Sequence, residues 1–270
     1  MDFSEIAERG LVLLGCGKMG SALLKGWLEG GLPAATVHVI EPKPSDWLQS
    51  TGAAINQVLP NRPAVLLLAV KPQMMGDALP QVKAFAGGDT LVVSIAAGTS
   101  MRKLEEVFGT STPVVRTMPN TPASVGQGIT ALVPNAAAED GAKFKLAGAL
   151  MSAVGDVVYL DAEDQIDAVT AVSGSGPAYV FLLIEALAEA GMAEGLAPEV
   201  AMKLARATVA GAGAMAAQSE DGPGKLRADV TSPAGTTAAA LTVLMEDETG
   251  LRQLIKKAVR AAAARSLELG

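Results

Sequence analysis

Aromatic side chains make up only 3% of the 270 residues, and the chain holds one cysteine, one histidine and no surplus of positive charge. Each shortage closes off a class of function. Too few aromatic rings are available to build a platform on which nucleobases stack. Twenty-one basic residues against 28 acidic ones give a net charge of −7, so no broad cationic surface is expected for nucleic-acid phosphates or anionic lipid. An anionic ligand must instead be captured locally, by backbone amides or a few side chains. Cys16 cannot form an intrachain disulfide, and its place inside a glycine-rich turn calls for a small side chain, which fits a reducing cytoplasm. His38 sits between Val37 and Val39 in an apolar burst and reads as a structural side chain. Residues 1–10 carry Asp2, Glu5, Glu8 and Arg9 and do not have the pattern of a secretory signal. The longest apolar run in the first half, Ala64–Val70, is far short of the ~20 residues a membrane helix needs. These features predict a soluble cytoplasmic protein with no nucleic-acid, membrane or metal partner.

Half of the residues are apolar, enough for two modest cores rather than a stapled scaffold. Ala and Gly are abundant, which favours helices packed closely through small side chains. Up to about Leu160 short apolar bursts alternate with glycine-punctuated helical stretches, the rhythm of a mostly parallel sheet with crossover helices. Strands are predicted at Leu11–Gly15, Val37–Glu41, Val65–Val70, Leu91–Ile95, Val114–Thr117, Thr130–Val133 and Val157–Leu160. Most are unbroken Val/Leu/Ile runs, as strands buried on both faces require. Beyond Asp161 the strand signals end. Ala/Leu-rich helical segments follow, interrupted at Gly176-Pro177, Ala197-Pro198, Gly222-Pro223 and Ser232-Pro233. Pro177–Met192 is apolar nearly all round apart from Glu185 and Glu189, a pattern suited to a dimer core. The expected architecture is an α/β Rossmann-type domain over 1–161 and an all-helical domain over 162–270 that carries dimerisation and substrate binding.

The first apolar burst runs into Gly15-Cys16-Gly17-Lys18-Met19-Gly20 and then a helical pattern from Ser21, which is strand, G-x-G-x-x-G, helix in the order a dinucleotide site needs. Gly15 permits the tight turn, Gly17 lets the backbone approach a pyrophosphate, and Gly20 lets the helix pack on the strand. The helix N-terminus adds amides and a positive dipole end. Glu41 ends the second predicted strand, 21 residues beyond Gly20, where a carboxylate accepts hydrogen bonds from ribose hydroxyls. Such an acid favours NADH, while Lys43 and Ser45 beside it could hold a 2′-phosphate, so NADPH or NADH remain alternatives.

Three later strand ends carry rigid or small residues that a flat ring could approach: Ala69-Val70-Lys71-Pro72, Ser94-Ile95-Ala96-Ala97-Gly98 and Met118-Pro119-Asn120-Thr121-Pro122. Open α/β sheets bind ligands at such carboxyl ends. In the helical half, Ser173-Gly174-Ser175-Gly176-Pro177-Ala178-Tyr179 is predicted to break one helix and start another. Val230-Thr231-Ser232-Pro233-Ala234-Gly235-Thr236-Thr237 opens a further helix whose amides suit a carboxylate.

Taken together, GCGKMG, AVKP, MPNTP, SGSGPAY and VTSPAGTT, in this order over nearly the whole chain, resemble the pyrroline-5-carboxylate reductase family. The resemblance implies reduction of the cyclic imine 1-pyrroline-5-carboxylate to L-proline by NADPH or NADH. It further implies a homodimer through the C-terminal helices, with a decamer of dimers as the larger assembly. Carried over motif by motif, coenzyme contacts fall on Leu14, Gly15, Cys16, Gly17, Lys18, Met19, Glu41, Asn56, Ala69, Val70, Lys71, Pro72, Ile95, Ala96, Ala97 and Asn120. Ser175, Glu220, Ser232, Gly235, Thr236 and Thr237 are placed about the substrate, with Thr237 the candidate catalytic group hydrogen-bonded to the ring nitrogen. One departure stands out: Ala234 occupies a position that is usually glycine, which matters if that position needs a positive φ. Two rivals share parts of the pattern. A β-hydroxyacid dehydrogenase would need a lysine soon after Gly174 and Gly176, and none occurs before Lys203. A non-catalytic NAD(P) sensor would not need VTSPAGTT intact.

Overall fold

The computed structural model describes residues 3–139 and 141–269. The chain falls into two compact units, Met1–Gly174 with Ala263–Gly270, and Ser175–Ala262.

The first unit is built on an eight-stranded sheet: β1 Leu11–Leu14, β2 Val37–Ile40, β3 Ala54–Ile55, β4 Val65–Leu68, β5 Leu91–Ser94, β6 Val114–Met118, β7 Gly128–Pro134 and β8 Gly155–Tyr159. Their spatial order is β3-β2-β1-β4-β5-β6-β7-β8, with β7 antiparallel to β6 and every other neighbouring pair parallel. Helices α1 Ser4–Arg9, α2 Lys18–Glu29, α3 Asp46–Ser50, α4 Met75–Ala78, α5 Met101–Phe108, α6 Ala142–Met151 and α7 Gln165–Val169 accompany it.

The unbroken apolar strands are buried on both faces because alternate side chains enter two separate cores. Leu11, Leu13, Val65, Leu67, Leu91 and Val93 pack with Leu23, Leu24 and Trp27 of α2 and Leu150 and Met151 of α6. Val12, Leu14, Leu66, Leu68 and Val92 face the other way, onto Met75 and Ala78 of α4 and Met101, Leu104 and Phe108 of α5. Trp27 is fully buried and its indole N–H donates to the Leu150 carbonyl at 2.8 Å, so its polar atom is satisfied.

The sheet differs from the sequence reading in instructive ways. Gly15, Glu41, Ala69, Val70 and Ile95, read as strand ends, lie just past β1, β2, β4 and β5, because the chain leaves the sheet there at the carboxyl ends of these strands. Gly15 turns at φ +91, where a Cβ would stand 2.8 Å from Val70 Cγ1 and 2.9 Å from the Ala69 carbonyl oxygen. The two-residue β3 was not foreseen, and neither was the reversal at β7.

The second unit is helical among the described residues, as expected after Asp161: α8 Gly176–Ala193, α9 Pro198–Gln218, α10 Pro223–Asp229 and α11 Thr236–Leu244, with α12 Leu251–Leu269 running on to the residues assigned to the first unit. Small side chains bring α8 and α9 together through Ala188, Ala201 and Ala205, all buried. At Gly191 a Cβ would already lie 3.2 Å from Leu196 Cδ1. The predicted break at Ser173–Tyr179 is milder than expected. Thr170–Gly174 is wound as a π-turn and the helical path continues from Gln165 to Ala193. That 29-residue stretch is the one helix among the described residues long and apolar enough to cross a membrane. It exposes Val180, Phe181, Leu182, Leu183 and Leu187, and apolar side chains of α9, α11 and α12 are exposed as well.

Candidate active site

The carboxyl edge of the sheet is aligned by backbone hydrogen bonds. The parallel register sets Leu14 beside Ile40 and Leu68, and Leu68 beside Ser94. One residue farther on, Gly15 N–H donates to the Ile40 carbonyl at 2.9 Å, Ala69 N–H to Leu14 at 2.8 Å and Ile95 N–H to Leu68 at 3.1 Å. The strand ends carrying the glycine turn, Ala69–Pro72 and Ile95–Ala97 are thus held at one level.

Within the glycine turn the three glycines do different work. A Cβ on Gly20 would lie 2.5 Å from the Gly15 carbonyl oxygen, so α2 packs on the turn only because that side chain is missing. Gly17, the residue preceding α2, is exposed, and a Cβ there would meet nothing within 4 Å. Space is therefore kept open in front of the first amides of α2, which have no acceptor within a helix. That is the arrangement in which a pyrophosphate can reach the backbone, so these residues fit a dinucleotide.

Glu41 closes the side of this cradle. Its carboxylate accepts from Cys16 N–H at 2.8 Å through one oxygen and from Lys43 N–H at 3.1 Å through the other. Asn56, just after β3 and left-handed at φ 51, exchanges two bonds with the Glu41 backbone: Glu41 N–H donates to Oδ1 at 3.0 Å, and Nδ2 donates to the Glu41 carbonyl at 2.8 Å. The structure thus joins Cys16, Glu41, Lys43 and Asn56 in one network; each of these residues is singled out by the sequence, but the bonds between them are not. Asn120 lies past β6 and is nearly buried, with Oδ1 accepting from Ile129 N–H at 3.0 Å. Lys18 and Lys71 are exposed.

Burial, and then the charge of Glu41, push the Cys16 thiol up to about 11 from its ordinary 9.0. Because the folded value lies above the unfolded one, this thiol's contribution to stability is complete below pH 9 and is lost as the pH rises through about 11. At pH 8, alkylation of the folded protein by iodoacetamide should run roughly a hundredfold slower than alkylation of the unfolded chain, following the thiolate fraction. Equal rates would show that the thiol is not held back.

In the helical unit, Gly235 precedes α11 and no side chain caps that helix. The amides of Thr236 and Thr237 are in its first turn and lack intrahelical acceptors. Ser232 folds over Gly235 so closely that a Cβ on the glycine would collide with its Oγ. Ala234 is left-handed at φ 57, so this position does take the conformation that glycine adopts at no cost. Ala234→Gly should therefore raise stability by up to about 1 kcal/mol, the scale of relieving a left-handed non-glycine residue. A lowered Tm would contradict this. Glu220 is exposed in the turn between α9 and α10, and among the described residues no hydrogen bond ties it to the threonine turn. Ser175 precedes α8 and is half-buried.

Comparisons with known proteins agree with this geometry. Residues 163–269 match a family model described as pyrroline-5-carboxylate reductase dimerisation, and residues 10–98 match one described as NADP oxidoreductase, coenzyme F420-dependent. The pyrroline-5-carboxylate reductase of Pseudomonas aeruginosa is 43% identical over 96% of this chain and 96% of its own. That of Synechocystis is 43% identical over 96% and 98%. Among solved structures, a pyrroline-5-carboxylate reductase from Coxiella burnetii superposes with a TM-score of 0.89 at 36% identity, covering 97% of this chain and 98% of that one. The Plasmodium falciparum pyrroline carboxylate reductase with NADP bound gives 0.82 at 29% identity, covering 98% and 99%. A sheet edge of this kind, with a glycine cradle and a helical second unit, defines a dinucleotide-dependent oxidoreductase. Within that class, the chain belongs to the pyrroline-5-carboxylate reductase family.

Proposed function

We propose that this protein reduces 1-pyrroline-5-carboxylate to L-proline, the closing step of proline synthesis, with NADPH or NADH. The observation that carries the reading is the open cradle at Gly17, flanked by two glycines whose packing is already complete, in a chain of this family. When bound, the coenzyme supplies a hydride from its nicotinamide ring to the imine carbon. The chain's own residues do the rest. Gly17–Met19 amides hold the pyrophosphate, and Glu41 and Asn56 lie by the adenosine ribose. Leu14, Ala69–Pro72, Ile95–Ala97 and Asn120 border the ring-bearing half. Thr236 and Thr237 hold the substrate carboxylate through their amides, with Ser175, Glu220, Ser232 and Gly235 around it. The Thr237 hydroxyl orients the ring nitrogen, whose protonation makes the imine easier to reduce, and relays a proton from water.

The functional division is at 161/162, the coenzyme domain before it and the substrate and dimerisation domain after it. The exposed apolar side chains of α8, α9, α11 and α12 support a homodimer through these helices, with a decamer of dimers as the larger assembly. They account for the long apolar helix without a membrane, in a cytoplasmic protein.

Initial rates with both coenzymes, on pyrroline-5-carboxylate and its six-membered homologue, test the reading. Oxidation of coenzyme dependent on the five-membered imine is expected. Coenzyme binding with no oxidation would favour a sensor, and steady activity on a hydroxy acid would revive the dehydrogenase reading. A carboxylate beside the ribose disfavours a 2′-phosphate, so Glu41 is the group at which coenzyme preference is tested. Glu41→Gln should shift relative kcat/KM toward NADPH by about tenfold, the scale of one partly screened charge contact. An unchanged ratio would remove Glu41 from coenzyme discrimination.

A further inference from the structure

We infer that Glu163 is a positioning residue for coenzyme binding, holding the Ile95–Ser100 turn in place through the first amide of α5. The inference rests on the reading of Ile95, Ala96 and Ala97 as coenzyme contacts. Glu163 Oε1 accepts from Met101 N–H at 2.6 Å and from Arg116 Nη1 at 2.5 Å. Met101 opens α5, directly after the turn. The ordinary cap of that helix is weak, since Ser100 Oγ accepts from Lys103 N–H at a long 3.4 Å. A carboxylate on the first amide supplies a stronger acceptor and suits the positive end of the helix.

Arg116 anchors the other end of the tie. It belongs to β6, is paired in register with Ser94 at the end of β5, and is only 7% exposed. Its Nε is buried with no acceptor among the described residues, so Glu163 provides the compensation that a buried guanidinium needs. The helix that follows the turn and a side chain of β6, the strand beside β5, therefore run to one carboxylate. The turn is also blocked on a further side. Gly98 is left-handed at φ 69, and the space where its Cβ would stand is 2.9 Å from the Leu269 carbonyl oxygen, near the end of α12. With the carboxylate gone, the amide end of α5 is released, and the small residues between it and Ile95, which stays bonded to Leu68, are fixed from one side only.

Removing Glu163 alone would strand the buried arginine and risk unfolding, so the tie is tested in pairs that remove both charges. R116M/E163Q keeps a side-chain oxygen for the Met101 amide, and R116M/E163L does not. The coenzyme KM of the leucine pair should exceed that of the glutamine pair by about three- to tenfold, the scale of a neutral hydrogen bond. The imine KM should match between the two, and the leucine pair should lose only the few degrees of Tm that one hydrogen bond is worth. Equal coenzyme KM values would overturn the inference. Ala97→Trp, followed by coenzyme titration calorimetry, tests the underlying reading separately. Undiminished binding would remove the turn from the coenzyme site, and this inference with it. Weakened binding alongside equal KM values in the two pairs would leave the turn as a contact and Glu163 as a tie that serves folding alone.

Discussion

Thr237→Ala should lower turnover by about ten- to a thousandfold, the range found when one hydrogen bond used in the transition state is removed. The substitution deletes the hydroxyl and leaves the amide, so the two functions proposed for this residue separate cleanly. A carboxylate held by the Thr236 and Thr237 amides should bind as before, with KM for the imine within a few fold and the loss concentrated in kcat. Thr237→Ser should recover most of the activity, because an oxygen returns to the same turn. The half-buried side chain in the first turn of α11 makes a folding defect an improbable source of the effect. Turnover unchanged in the alanine variant would take the hydroxyl out of the mechanism.

The second large effect is expected at Gly17. Its φ of −71 is open to any residue, and a Cβ there meets no neighbour, so Gly17→Val should fold with an unchanged Tm. The added methyls would fill the space left for the pyrophosphate. Losing one amide contact to a charged group costs about 1.5–3 kcal/mol, which corresponds to roughly a 10- to 150-fold weaker coenzyme Kd. Gly20→Ala provides the contrast. Its Cβ would sit 2.5 Å from the Gly15 carbonyl oxygen, so it should lower Tm before it alters binding specifically. A valine at 17 that binds coenzyme normally would show that the cradle is not where the dinucleotide lies.

What the amino-acid sequence revealed and what it hid divide along physical lines. The central strands were legible because burial on both faces demands unbroken Val/Leu/Ile runs, as in Val65–Leu68. β3 left no such trace, since Ala54–Ile55 is two residues long and owes its conformation to pairing with β2. Strand direction is not written in composition, which hid the reversal at β7. At the site, the glycine turn was readable from local spacing. The separate duties of Gly15, Gly17 and Gly20 became observable only when their surroundings were known. The Cys16–Glu41 bond links residues 25 apart and the Arg116–Glu163 pair residues 47 apart, distances over which no periodicity speaks. Glu163 in particular stands outside every motif. Its only sequence signal is an acid following the last strand. Ala234 is a different case, since only the family pattern in which glycine is usual there raises the question of a positive φ, and the structure answers it with a left-handed backbone.

Hydride transfer to a cyclic imine is the reaction that the Gly17 cradle and the threonine turn are each proposed to serve. Coenzyme carrying deuterium at both nicotinamide C4 positions, incubated with pyrroline-5-carboxylate and the purified protein, tests it most directly. L-proline should carry one deuterium on the ring carbon that was doubly bonded to nitrogen, and none elsewhere. Unlabelled proline, or coenzyme bound and left unoxidised, would contradict it.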